Sequence, residues 1–98
     1  MKKQTLRADG RVYEIEEWGK TDIHVVIDGE KSCYVIKRWG STDRWYVVKR
    51  SSLGDEAALH YGVSNGVTIF GRTMTFKSTE RALAAAARDH ADTVSAAG

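Results

Sequence analysis

One stretch of this chain occurs twice. Tyr13-Glu-Ile15-Glu-Glu-Trp18-Gly19-Lys-Thr21-Asp22 returns 21 residues later as Tyr34-Val-Ile36-Lys-Arg-Trp39-Gly40-Ser-Thr42-Asp43, with six of ten positions identical. With one residue added, Val25-Val26 then falls into line with Val47-Val48. A repeat of this length reports architecture: two copies of one small supersecondary unit lying side by side. Within each copy the pattern is that of a β-hairpin. Tyr13 and Ile15 share one face of a strand and Glu14 and Glu16 the other. A turn-forming Gly-Lys-Thr-Asp follows, and then Ile23, Val25 and Ile27 alternate with His24, Val26 and Asp28. The second copy reads as strand Cys33–Trp39, turn Gly40–Asp43 and strand Arg44–Arg50. Its Val35, Ile36, Trp45, Tyr46, Val47 and Val48 leave both faces apolar, the pattern of strands covered on two sides.

Two Asp-Gly pairs extend the plan. Asp9-Gly10 separates Thr5–Ala8 from Arg11–Trp18, and Asp28-Gly29 joins the two copies; both have the two-residue spacing of a type I′ hairpin. Five strands therefore follow one another as an antiparallel meander before residue 51. Ser51–Gly66 reads as a long loop with room for one helical turn at Asp55–His60, and loops of that length are often functional. Val67–Phe70 and Thr73–Phe76 read as two short strands. Ser78 is a good N-cap, Glu80 falls in the first turn, and Thr79–His90 is rich in alanine. One face of that helix, Leu83, Ala86, Ala87 and His90, with Val94 if it extends, is expected to meet the sheet. The predicted fold is α+β: an antiparallel meander of five to six strands built on a repeated hairpin, with an Ala-rich C-terminal helix on one face. Residues 1–94 form one domain and 95–98 a frayed tail.

Composition removes several classes of function. A 98-residue chain with 42% apolar residues and three Trp supports one core without disulfides. The net charge of +2 is far from the strong basic balance of most nucleic-acid-binding domains. Cys33, the single cysteine, sits in an apolar strand and suits a reducing cytoplasm. The N-terminal residues lack the apolar run of a signal peptide, and nowhere is there an 18-residue apolar stretch to span a membrane. His24, His60 and His90 share no metal-ligand spacing, and Gly62–Gly66 lacks the lysine of a phosphate loop. No nucleophile elbow or Cys–His signature is present. The expectation is a protein without catalysis, cofactor or metal.

What remains is surface chemistry. Glu16-Glu17 of the first copy becomes Lys37-Arg38 in the second, so the first hairpin is acidic and the second basic. Cations interleave with aromatics along the second copy, a composition that interfaces favour and that can also stack unpaired bases. The opposing reading makes those aromatics core and the charges mutual attraction between neighbours. Lys77, Arg81 and Arg88 fall near one helical face and read as a solvated outer stripe. The partner-binding candidates are Lys37, Arg38, Trp39, Arg44, Tyr46 and Arg50 of the second hairpin, with Asp55, Glu56, His60 and Tyr61 of the loop after it.

The end of the chain carries one resemblance. Thr75-Phe-Lys-Ser78-Thr79-Glu80-Arg-Ala82-Leu-Ala-Ala-Ala turns a strand directly into a capped Ala-rich helix behind a curled antiparallel sheet. That plan resembles small phage and mobile-element accessory proteins, the anti-CRISPR proteins among them, and is similar to the arm-binding domains of phage-type integrases. It implies a non-enzymatic inhibitor that binds a host protein or nucleoprotein complex, and it carries no functional residue across. The alternatives are a small nucleic-acid-binding module using the basic hairpin and a homodimer paired through the second apolar sheet face.

Overall fold

In a computed structural model, the structure describes residues 4–18, 22–59 and 73–97, without the side chains of Glu17, Trp18, Ala96 and Ala97. The strands are β1 (Thr5–Ala8), β2 (Arg11–Trp18), β3 (Asp22–Ile27), β4 (Glu30–Arg38), β5 (Trp45–Arg50) and β6 (Glu56–Ala58), followed by helix α1 (Thr79–Ala97). All pairs are antiparallel and the spatial order is β1-β2-β3-β4-β5-β6, so the α+β meander is as expected. Both Asp-Gly turns adopt the geometry a type I′ hairpin demands. Asp9 and Gly10 have φ of 51° and 75°, and Asp28 and Gly29 have φ of 51° and 84°. Asp28 adds a side-chain bond, its Oδ1 accepting from the Val12 amide at 2.9 Å.

The repeat is two equivalent hairpins. Tyr13 stands opposite Ile27 and Ile15 opposite Val25; in the second copy Tyr34 stands opposite Lys49 and Ile36 opposite Val47. The added residue lies in the turn. Trp18 pairs with Asp22 in the first copy, whereas the Trp39 amide bonds the Arg44 carbonyl at 2.8 Å across a turn one residue longer. The expected equivalence of the Trp18 and Trp39 surroundings concerns a side chain outside the described residues.

At the seam between the copies the register slips. His24 faces Val35 and Val26 faces Lys31, so Ser32, Cys33 and Tyr34 stand opposite Val25 alone. The Ser32 hydroxyl bridges this bulge, donating to the Val25 carbonyl at 2.6 Å and accepting from the Tyr34 amide at 3.2 Å. Cys33 lies in β4, and its side chain is exposed.

The core lies between the sheet and α1. Tyr13, Ile15, Ile23, Val25, Tyr34, Ile36 and Val47 meet Ala82, Leu83, Ala86 and Ala87. Alanine lets the helix lie close to the strands, and the single large apolar side chain in its packed stretch, Leu83, is 1% exposed. Ser78 caps the helix as expected, its Oγ accepting from the Arg81 amide at 3.2 Å. Val94, expected to meet the sheet, is instead 37% exposed, and the helix continues to Ala97.

The segment after β5 also differs. Within the expected loop, Glu56–Ala58 forms β6 rather than a helical turn, because Val48, Lys49 and Arg50 leave an edge that pairs Ala58, Ala57 and Glu56. Further along the same edge of β5, Phe76 forms a single bridge with Trp45 rather than a strand. The strand expected at Val67–Phe70 lies outside the described residues.

Candidate functional site

Because paired antiparallel residues share a face, register sorts the candidates. Asp22, His24, Val35, Lys37, Tyr46, Val48, Arg50, Glu56 and Ala58 occupy the sheet face opposite the core cluster; Arg38, Trp45 and Lys49 share the helix side. The sequence candidates therefore do not form one patch. Lys37, Trp39, Tyr46, Arg50 and Glu56 come together on the open face. Arg38 instead lies over the Trp45 ring, 5.2 Å from its centre, and Asp55 sits in the exposed turn before β6. His60 and Tyr61 lie outside the described residues.

Electrostatics on the open face do not match a basic hairpin. Lys37 Nζ lies 2.9 Å from Glu56 Oε1, and the Arg50 guanidinium lies 3.2 Å from Glu56 Oε2 and 3.9 Å from Asp22. The hydrogen bond to Glu56 raises the Lys37 pKa, and the same bond lowers that of Glu56. Burial lowers the His24 pKa, and the nearby Lys31 and Arg50 cations lower it further. Arg44 is also spent: it donates to Thr75 Oγ1 at 2.7 Å and to the Thr75 carbonyl at 3.0 Å, tying the turn to the chain leading into α1. Arg44 is thus half-buried and held by the fold, where a surface cation was expected. The sequence could not show this, because Glu56 and Thr75 become neighbours only through β6 and the Phe76 bridge.

On this neutralised face the aromatics stand out. Trp39 is 42% exposed and meets Tyr46 edge to face, ring centres 5.2 Å apart. Beside them Val35 and Val48 are buried. At one end of the face the turn from β5 to β6 presents Leu53, 88% exposed. That turn is firmly built: Ser51 Oγ accepts from the Leu53 and Asp55 amides, and the Gly54 amide bonds the Ser51 carbonyl. Gly54 has φ of 90°, a conformation that favours glycine.

The helix side holds a cluster that sequence reasoning missed. Tyr34 OH donates to Asp89 Oδ2 at 2.6 Å, Lys49 Nζ lies 2.8 Å from the same oxygen, and Tyr13 OH lies 3.0 Å from His90 Nδ1. Burial raises the pKa of both tyrosines, and the Asp89 carboxylate raises that of Tyr34 further. Burial pushes Asp89 up, but hydrogen bonds from Lys49 and Tyr34 outweigh it and hold the carboxyl below its ordinary value. The two tyrosines occupy equivalent repeat positions and grip adjacent helix residues, so the cluster is a clamp on α1. The clue in the sequence was the repeat itself, which places a phenol twice on the inward face.

No group of His, Cys, Asp or Glu among the described residues could hold a metal ion, and no helix among them is long and apolar enough to cross a membrane. Set against protein-family models, curated proteins and solved structures, the chain matches none.

Proposed function

We propose that this is a non-enzymatic interaction protein, an inhibitor of the phage-accessory kind that occupies a host protein or nucleoprotein complex, and that its contact surface is the open sheet face around Trp39 and Tyr46. The observation that carries the reading is the exposed Trp39 set edge to face on the half-buried Tyr46, on a face where Lys37, Arg50 and Glu56 are already paired with one another. Large rigid aromatics ringed by satisfied polar groups are the composition of a protein-binding hot spot. A phosphate-binding surface needs cations with capacity to spare, and Lys37, Arg44, Lys49 and Arg50 are each committed within the fold. That difference favours a protein surface over nucleic acid. The inhibitor class rests on the resemblance of the strand-to-capped-helix ending.

The test is affinity capture from a bacterial lysate, with and without nuclease, comparing the native chain with Trp39→Ala and Tyr46→Ala. A specific partner retained after nuclease and lost with either variant supports the reading. Capture abolished by nuclease, together with a steeply salt-dependent gel shift, replaces it with the nucleic-acid module. Light scattering showing a dimer that Trp39→Ala dissociates replaces it with self-association.

A further inference from the structure

On the other side of the molecule, α1 presents a second surface. Arg81, Ala84, Ala85, Arg88 and Asp92 recur at spacings of three and four and so form one stripe along the helix, beside the stripe that packs on the sheet. This stripe is one wall of a groove of about 720 Å³ whose floor is Leu59, Met74 and Phe76. The floor is fixed by its main chain. The Leu59 amide bonds the Val47 carbonyl, the Met74 amide bonds the Leu59 carbonyl, and Phe76 exchanges both bonds with Trp45. Strand addition is therefore closed at these positions, and recognition there falls to side chains.

Charge selects the occupant. Neither the Arg81 nor the Arg88 guanidinium has an ion pair or hydrogen bond among the described residues, and both are exposed. Among the described lining residues the carboxylates are Asp89, already held by Lys49 and Tyr34, and Asp92, one turn beyond Arg88 at the far end. The accessible field over the apolar floor is thus positive along the Arg81–Arg88 span, roughly 10 Å at the rise of an α-helix, and negative only past it. An arginine pair of this kind, flanking an apolar floor, matches carboxylates set beside aliphatic side chains. We propose that this groove docks an acidic, aliphatic peptide segment of a partner protein, its carboxylates on Arg81 and Arg88 and its apolar side chains on Leu59, Met74 and Phe76. Ala84 and Ala85 keep that wall low enough to admit it, and the unbranched thioether of Met74 adapts to its shape. The surface is independent of the Trp39–Tyr46 face, so either assignment can fail alone.

The test uses the full chain and two fluorescein-labelled probes, an amphipathic Leu/Glu peptide and the same peptide with Lys for Glu, read by fluorescence anisotropy. The expected result is binding of the acidic peptide about tenfold or more tighter than the basic one. Arg81→Glu/Arg88→Glu should reverse that preference with the circular-dichroism spectrum unchanged, and Ala85→Trp, which fills the groove, should weaken both. Equal binding of the two peptides, or an unchanged preference in the double variant, overturns the proposal. So does binding seen only after residues 60–72 are replaced by a Gly-Ser linker, because the chain's own segment would then be the occupant. Absence of binding in every form overturns it as well.

Discussion

Matched by strand register, the β2–β3 and β4–β5 hairpins put the same groups inward and different groups outward. Tyr13 matches Tyr34, Ile15 matches Ile36 and Val25 matches Val47, and all six are buried against the same helix. Outward, Glu14 corresponds to Val35, Glu16 to Lys37 and His24 to Tyr46. The inward set answers to one common neighbour, α1, and so has to be the same in both. The outward set answers to position in the sheet. Copy two lies against β6, whose Glu56 supplies the countercharge for Lys37 and Arg50, and its outer face carries the exposed Trp39 against Tyr46. One unit has been used once as scaffold and once as scaffold plus surface.

The sharpest way to break this equivalence is to empty the two inward sites. Tyr13→Ala and Tyr34→Ala should each destabilise by about 3–5 kcal/mol, as aromatic truncations in a packed core do. Urea denaturation checks both, and a large loss in only one would show that the copies do not bear equal loads. Removing the hydroxyls alone should separate them. Tyr34→Phe gives up a bond to a carboxylate and should cost about 1.5–3 kcal/mol, whereas Tyr13→Phe gives up a bond to an imidazole and should cost about 0.5–1.5 kcal/mol.

The same hydroxyls set the pH response. Both folded tyrosines have pKa values above the ordinary 10.0, so above about that pH the unfolded chain releases protons that the folded chain keeps. Stability should then fall as pH rises past 10, and Tyr34→Phe should flatten the fall more than Tyr13→Phe. Asp89 works in the opposite sense. Its folded pKa lies below the ordinary 3.8, so its contribution is present above that pH and is lost as pH falls below it. Melting temperatures across both limbs, with Asp89→Asn as the control for the acid limb, read the effect.

Smaller effects sharpen the comparison at the turns and on the outer face. Asp9 and Asp28 share a backbone conformation, but of the two only the Asp28 side chain accepts a bond from a backbone amide, so Asp28→Ala should cost about 1 kcal/mol more than Asp9→Ala. Lys37→Gln should shift stability by less than about 1 kcal/mol, since exposed ion pairs contribute little.

The repeat and the two Asp-Gly pairs made five strands legible, because hairpins are local and their turns carry residue types that only a few conformations need. Ser78 and the alanine run did the same for α1. What the sequence hid is non-local. β6 has three residues with no alternation to mark them, and it forms because β5 has a free edge. Asp89 looks like any exposed helix carboxylate until Tyr34 and Lys49 arrive from two strands. The basic second hairpin was visible as composition, yet its neutralisation depends on Glu56 and Asp22 reaching it through the sheet. Of the candidate surface, the Trp39–Tyr46 pair could be picked out one residue at a time, whereas its separation from Arg38 and Arg44 needed the register.

The meander order has a consequence for how the chain is made. Every strand pairs with its chain neighbour, so the sheet closes only short loops and can assemble as fast as its hairpins form. The clamp on α1 reaches much further, across 55 residues from Tyr34 to Asp89 and 77 from Tyr13 to His90. All six strands also precede α1 in the chain. During synthesis the sheet is therefore complete while its apolar face is still bare, and a nascent chain stalled before Thr79 should present Tyr13, Ile15, Ile36 and Val47 to whatever chaperone or neighbouring chain is at hand.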